Sequence, residues 1–365
     1  MDAVESIKMS DFSQRMTDIL NYGALNLAMA IGYKNRIFDV LEDLNKPSLI
    51  EDISRAADVN SRYLKEWLGI MVTGKIIDLS QTAEGENAYF LPPEHAAFLT
   101  RKSSSKNLGV YTQEIPLLTS CAMEAVNNGF QTGEGIPFSQ YPDFQQFMGQ
   151  LANAKHRQVL IADFLPSVDN GKLLARLTEG VRVCDLGCGE GVALNLMADA
   201  FPKSSFVGID NHEDAISVGR SEAQDMGLSN VEYKNQDAAK IDENKEFYQQ
   251  FDYITAFDAI HDQRHPLEAL KGVYSMLAPG GLFSMIDIKA YSNHTDNLDH
   301  PMGPFLYTVS MMHCMPVGLN DNGTGLGMMW GREQAEGMLK EAGFESIEVL
   351  EMEHDGFNLH YLCRK

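Results

Sequence analysis

The stretch VRVCDLGCGEGVALN, residues 181–195, constrains this chain more than any other. A short apolar run reaches an acid, Asp185, and three glycines follow at every second position: Gly187, Gly189 and Gly191. Glycine at that density belongs where backbone turns tightly or where a ligand approaches the main chain. The stretch therefore reads as a first strand handing over to a first helix. Further short apolar, β-rich runs follow: SFVGID (205–210), VEYKNQD (231–237), FDYITAFDAI (251–260) and GGLFSMIDI (280–288). Helical segments at 192–200, 213–226 and 267–277 alternate with them. This order predicts an α/β fold, a Rossmann-like doubly wound sheet that is mostly parallel, with ligands at the strand carboxyl ends. Residues 332–365 read as a helix stopped by Gly343, then an antiparallel hairpin at the sheet edge.

The loop's ligand follows from spacing and charge. A dinucleotide loop reads G-x-G-x-x-G, and here the third glycine comes one residue early. Asp185 and Glu190 flank the loop, which disfavours a pyrophosphate at the helix N-terminus. No G-K-[ST] follows, so a P-loop is excluded. Asp210 ends the next strand, where a carboxylate can accept both hydroxyls of a ribose. Asp237, in NQDAAK, follows a strand and can reach an adenine amino group. The ligand implied is adenosine-bearing and positively charged, as a cofactor with an ammonium and a sulfonium is.

The segments D-L-G-C-G-E-G, G-I-D, N-Q-D-A, F-D-x-I-x-x-F-D-A-I-H-D and L-A-P-G-G-L-F resemble the class I S-adenosylmethionine-dependent methyltransferases over about residues 175–290. The resemblance implies S-adenosylmethionine as cofactor, with Asp185, Gly187, Gly189 and Gly191 at its methionine end. It implies Asp210 and Asn211 at the ribose, Asp237 and Ala238 at the adenine, and Phe257 and Asp258 beside the cofactor. Methyl transfer to a hydroxyl benefits from a general base, most often histidine. His261, just past the fourth strand, is the candidate, and Asp262 is the candidate acid to orient it; a histidine that only shapes the loop is the competing reading.

Residues 1–100 read as a winged-helix domain. Apolar positions at helical spacing over 11–45 suggest two helices broken near Gly32. Ser48 with Glu51 has a capping-box pattern, and Asn60 or Ser61 can cap a helix that runs to Thr73 and stops at Gly74. KIIDLS and NAYFLP then form a two-stranded wing. Such a domain can bind DNA, but these residues hold nine Lys and Arg against fifteen Asp and Glu. The whole chain carries a net charge of −22, which repels a phosphate backbone. The domain is similar to that of small-molecule O-methyltransferases, which implies a homodimer formed through it. The tail H-C-M-P-V-G-L…G-T-G-L-G-M-M-W-G resembles a bacterial winged-helix methyltransferase family more closely still.

Residues 101–175 read as a helical linker and substrate lid, and 176–365 as the catalytic domain with an insertion at 291–330. Phe138, Tyr141, Phe144 and Phe147 lie in or beside a turn-rich stretch of the linker. The insertion holds six methionines with Tyr307, His313 and Trp330. Met-rich surfaces adapt to apolar ligands, so Phe138, Tyr141, Phe147, Tyr307, Met311, His313 and Trp330 are the candidate acceptor pocket, and packing is the alternative. Glycines 323, 325 and 327 read as a flexible loop over it. His294, Asp296, Asp299, His300 and the pair His313-Cys314 match no ligand spacing, and Cys184 and Cys188 lack a second pair, so no metal is expected. Five scattered cysteines, no signal peptide at the N-terminus and no apolar run near the ~18 residues of a membrane span point to the cytoplasm. The function expected is methyl transfer to a small, partly apolar acceptor at a hydroxyl oxygen. Transfer to nitrogen, sulfur or carbon, or a cofactor-sensing regulator, are the alternatives.

Overall fold

The structure is a computed structural model that describes residues 3–243 and 245–365. Its contacts divide the chain into two compact units, Met1–Leu117 and Leu118–Lys365. Residues 101–117 thus go with the first unit, and 118–175 with the second.

The first unit runs α1 (Ala3–Lys34), α2 (Ile37–Leu44), α3 (Ile50–Ala57), α4 (Ser61–Thr73), β1 (Asp78–Gln81), β2 (Asn87–Phe90) and α5 (Pro93–Leu99). Helices followed by an antiparallel β1–β2 wing give the expected pattern. On α4, the buried residues Leu64, Trp67, Leu68 and Met71 follow the i, i+3, i+4, i+7 rule of one helical face. Asn60 caps it, accepting from the N–H groups of Arg62 and Tyr63, a contribution of about 1 kcal/mol. Two expectations fail locally. α1 continues through Gly32 and ends at Lys34, followed by Asn35 and the left-handed Arg36. Gly32 is a seat, not a break: a Cβ there would lie 2.3 Å from the Trp67 ring. Ser48 does not cap α3, whose N-cap is Leu49 without a side-chain bond. It exchanges backbone hydrogen bonds with Tyr89 instead, which ties this loop to the wing.

The second unit begins in α6 (Glu114–Thr132), which crosses the unit boundary, and continues with α7 (Pro142–Val159), α8 (Leu165–Ser167) and α9 (Lys172–Glu179). The sheet strands are β3 (Arg182–Leu186), β4 (Ser205–Asp210), β5 (Val231–Asn235), β6 (Phe251–Phe257), β7 (Leu277–Ile288), β8 (Ser346–Met352) and β9 (Asp355–Arg364). Their order is β5-β4-β3-β6-β7-β9-β8. The first five are parallel, and β9 and β8 close the sheet as the antiparallel edge hairpin. The inner strands are buried on both faces, hence their unbroken apolar runs.

Between the strands lie α10 (Val192–Ala200), α11 (Glu213–Asp225) and α12 (Pro266–Met276). After β7 come α13 (Gly303–Val309), a π-helical turn at Ser310–Cys314, α14 (Met315–Leu319) and α15 (Gly331–Glu341). One core packs Val273, Phe283, Leu339 and Phe344 with the buried Cys184. The other packs Leu177, Val183, Leu194 and Phe206. Strand order reverses at β3, so the carboxyl ends of β3, β4 and β6 border the crevice where this architecture binds ligands.

Candidate active site

The glycine loop leaves β3 and is tied to β4. The N–H groups of Gly187 and Cys188 both donate to the Ile209 carbonyl, at 2.8 and 3.2 Å. The Gly189 N–H donates to Asp210 Oδ2 and the His212 N–H to Asp210 Oδ1, each at 2.9 Å. Gly189 has φ 51°, and a Cβ built on it meets nothing within 4 Å. The loop thus turns its bare backbone toward open space, with a strand-end carboxylate fixed beside it. Glu190 is held from α7, its Oε2 accepting from Asn153 Nδ2 at 2.8 Å.

Asp185 stands beneath the loop instead of along its open face. It is only 2% exposed, and Thr255 Oγ1 donates to it at 2.7 Å. Burial pushes its carboxyl up to about 7. Asp237, after β5, accepts from the Ala239 N–H at 3.0 Å and begins the turn that buries Ala238. Asn211 is exposed. Phe257 packs on the rings of His156 and Phe164. Asp258 has a left-handed backbone, and both of its oxygens accept from Asn358 Nδ2 at 3.0 Å. Carboxylates at successive strand ends suit a ligand with hydroxyls to donate and positive charge to share, and the open backbone at Gly189 suits close approach.

His261 lies four residues past β6 and is 4% exposed. Its Nδ1 is 2.7 Å from Asp287 Oδ1, on β7. That same oxygen accepts from Trp330 Nε1 at 3.1 Å and from the Ile288 N–H at 2.8 Å. An ionised carboxylate only accepts, so Asp287 places a ring proton on Nδ1 and leaves Nε2 as the nitrogen that can gain or lose one. The sequence reading missed Asp287. Its one sequence signal is an acid at the end of the apolar run GGLFSMIDI, the place where Asp210 also stands. Asp262, the expected orienter, lies instead on the Nε2 side, with Oδ1 at 3.5 Å and no hydrogen bond to that buried oxygen. Burial pulls the His261 pKa down, but the charges of Asp287 and Asp262 outweigh it and raise it well above the ordinary histidine value.

Cys314 completes this corner, its thiol pushed up to about 12 by burial. His261, Asp262 and Cys314 bring one ligand-type atom each within 4.8 Å of one another. No sequence spacing reveals that trio, because the third member comes from the insertion.

The expected pocket residues separate into two groups, one on each side of the π-helical turn. His313 is ringed by Tyr141 and Phe144, with centroids at 4.7 and 4.8 Å, and by Phe138 at 6.2 Å. Its Nε2 is buried with no partner, and burial lowers its pKa, so the ring is neutral. Phe138 also packs on His212, at 4.2 Å, so one ring joins the cofactor loop's neighbourhood to this cage. Phe147 reaches only Phe144, at 6.5 Å. Two bonds latch this segment to the insertion: Tyr141 Oη donates to the Met312 carbonyl at 2.8 Å and the Ile136 N–H to the Pro316 carbonyl at 2.9 Å. Tyr307, Met311 and Trp330 instead line a separate cavity of about 310 Å³. The glycine-rich strap is packed, not free: the Thr324 N–H donates to the Arg264 carbonyl, the Gly325 N–H to the Gly318 carbonyl, and Met328, Met329 and Trp330 are buried.

Residues 177–343 match the family described as "Methyltransferase domain". That match covers 167 of the chain's 365 residues. Residues 23–101 match a second family, described as "Rv2258c-like winged HTH domain". Two solved structures of this fold hold the methyl donor or its product: human N-acetylserotonin methyltransferase with S-adenosylmethionine and PigF with S-adenosylhomocysteine. A tRNA (guanine-N(7)-)-methyltransferase of Yersinia pestis is 32% identical over 136 residues, which cover 35% of this chain and 56% of that protein. The chain spans about half the length, or less, of the curated relatives it matches. Among solved structures, the mitomycin 7-O-methyltransferase MmcR superposes with a TM-score of 0.67 at 14% identity, over 99% of this chain and 100% of that one. Human N-acetylserotonin methyltransferase, solved in complex with S-adenosylmethionine, gives 0.64 at 14% identity over 97% of each chain. At such identities the likeness is one of fold.

Proposed function

We propose that this chain is an S-adenosylmethionine-dependent O-methyltransferase that acts on a hydroxyl of a small, partly apolar acceptor. The His261–Asp287 pair carries the reading. S-adenosylmethionine brings a methyl group already activated by its sulfonium. The chain's own residues must hold the cofactor, align the acceptor, exclude water and take one proton. Gly187, Gly189 and Gly191 would face the cofactor's methionine end, Asp210 the ribose hydroxyls and Asp237 the adenine, with Asp258 and Phe257 alongside.

Asp287 fixes the Nδ1–H tautomer of His261, so Nε2 can accept the acceptor's hydroxyl proton. Asp262 and Asp287 then stabilise the imidazolium that results. Phe138, part-exposed between His212 and His313, offers an apolar face to the acceptor; the buried rings of Tyr141 and Phe144 hold His313 and keep water out, and His313 Nε2 is free to hydrogen-bond a second polar atom on the acceptor. The latched segment around Ile136 and Tyr141 acts as the lid.

The same reading includes a cytoplasmic homodimer paired through α1. Phe12, Met16, Ile19, Leu20, Leu27 and Ile31 are exposed at helical spacing, and Leu20 is 69% exposed. A second copy supplies the matching stripe. All five cysteines are free, in keeping with a reducing compartment, and no helix of the described residues is long and apolar enough to cross a membrane. A DNA-reading role is disfavoured because Arg62 on α4 is paired with Glu66 and Tyr63 beside it is a bare aromatic.

The test is transfer of a labelled methyl group from S-adenosylmethionine to matched phenols, amines and thiols. We expect transfer to the phenols, and a loss of about 10²–10⁴-fold with His261→Ala. Transfer confined to amines or thiols, or full activity in the variant, overturns the reading.

A further inference from the structure

His261 offers only one nitrogen to an acceptor, and a cavity lies behind the other. Nε2 faces Asp262. Nδ1 faces Asp287, whose accepting oxygen also takes the Trp330 indole N–H. Trp330 in turn walls the 310 Å³ cavity, together with Met311, Met315, Leu326, Met329 and Tyr307. The two nitrogens of an imidazole point away from each other, and Asp287 and Trp330 stand between the ring and the cavity. A group reacting at Nε2 therefore does not sit in this space.

The lining names its chemistry. The volume is at the lower end of small-molecule sites, which run from roughly 300 to 1,000 Å³. Three thioethers, a leucine and two aromatic rings make the apolar, adaptable part of a wall that is otherwise polar and open to solvent. None of the lining residues is Lys, Arg, Asp or Glu. Ser292, His294 and Gln334 add a few hydrogen-bonding groups. We propose that this cavity is a second ligand site, for a small uncharged amphipathic molecule with an apolar chain or ring at one end and a hydroxyl or carbonyl group at the other. Its occupant lies against the indole that steadies Asp287, and so bears on the base from behind. The inference goes beyond the methyl-transfer reading and is measured on the protein without turnover.

The chain has two tryptophans, so Trp67→Phe leaves Trp330 as its single indole. The probe is 8-bromooctan-1-ol, whose bromine quenches indole fluorescence on contact. We expect saturable quenching with an apparent Kd below about 1 mM. The wild-type chain, with Trp67 buried in the first unit's core, should give the same curve at smaller amplitude. Filling the cavity by Met311→Phe, or by Met315→Phe in its place, should weaken the probe at least tenfold. Titration calorimetry with S-adenosylhomocysteine should be unchanged in the filled variant, which separates loss of this site from loss of the fold or of the cofactor site. Quenching that does not saturate, or an identical curve in both filled variants, overturns the proposal.

Discussion

His261 and Asp287 share a 2.7 Å hydrogen bond across 26 residues of sequence. β6 and β7 are parallel neighbours, with Phe257 opposite Ile286, so their carboxyl ends emerge together. His261 hangs from one end and Asp287 sits in the other. Because a single oxygen of Asp287 takes three donors, the acid has little freedom to turn, and neither has the imidazole.

Asp287→Asn keeps the shape, and with the Trp330 and Ile288 N–H groups still donating to the amide oxygen it keeps the Nδ1–H tautomer, but it removes the charge that stabilises the imidazolium. We expect kcat to fall by about 10²-fold or more with the cofactor's Kd unchanged, measured by single-turnover kinetics and calorimetry. A normal kcat would remove Asp287 from the mechanism.

Proton abstraction needs neutral His261, and the carboxylates beside it raise its pKa well above the ordinary value. The rate should therefore climb with pH along a limb displaced to the alkaline side of about 6.5. Asp262→Asn removes one raising charge and leaves the Nδ1 bond intact. Its limb should move to lower pH while the plateau rate stays within about tenfold of wild type. A pH–rate profile that does not move would count against Asp262 as a neighbour of the base.

Asp210 receives the Gly189 and His212 N–H groups and so shapes the loop, and on the proposed reading it also takes the ribose hydroxyls. Hydrogen bonds to charged groups contribute about 1.5–3 kcal/mol each. Asp210→Ala should weaken S-adenosylhomocysteine binding by roughly 10- to 100-fold in titration calorimetry. Unchanged affinity would place the adenosine elsewhere.

Asp185 titrates near 7 in the folded chain because burial disfavours its charge. A carboxyl raised in this way gives its full stability below the unfolded value of about 3.9 and loses it as pH rises to about 7. Asp185→Asn has no such titration. Between pH 4 and pH 8 the variant's Tm should therefore gain on that of wild type by several degrees, followed by thermal melts. Parallel curves would mean that Asp185 stays charged in the fold.

Leu20→Asp with Leu27→Asp places two charges on the exposed stripe of α1. We expect light scattering to give a dimer for wild type and a monomer for the double variant, with the same circular dichroism. A wild-type monomer would end the dimer reading.

The sheet was legible because its signals are local. Parallel strands buried on both faces print as apolar runs, and VRVCDL, SFVGID and FDYITAF fall on β3, β4 and β6. Asp210 and Asp237 stand out in the sequence because one ends a strand and the other follows one by two residues. What stayed hidden was set by pairing between distant segments. Asp287 looks like an ordinary strand-end acid until β6 and β7 are laid side by side, and Cys314 reaches His261 only because a π-helical turn sits in the insertion. Gly32 misled for a similar reason: a helix-interior glycine suggests a break, and only the Trp67 ring against it shows why it is kept. The pocket residues were grouped by composition, and composition does not say which side of a turn a side chain takes.

The glycine loop, His261 and Asp287 all stand at the carboxyl ends of sheet strands, whereas the rings around His313 come from residues 138–144 and 310–314, outside the sheet. On the proposed reading, reaction and choice of substrate are written on different parts of the chain. A descendant of this protein could then exchange Phe138, Tyr141, Phe144 and His313 one at a time, and so pass to a new acceptor, while the strand ends that carry His261 and Asp287 stay the same.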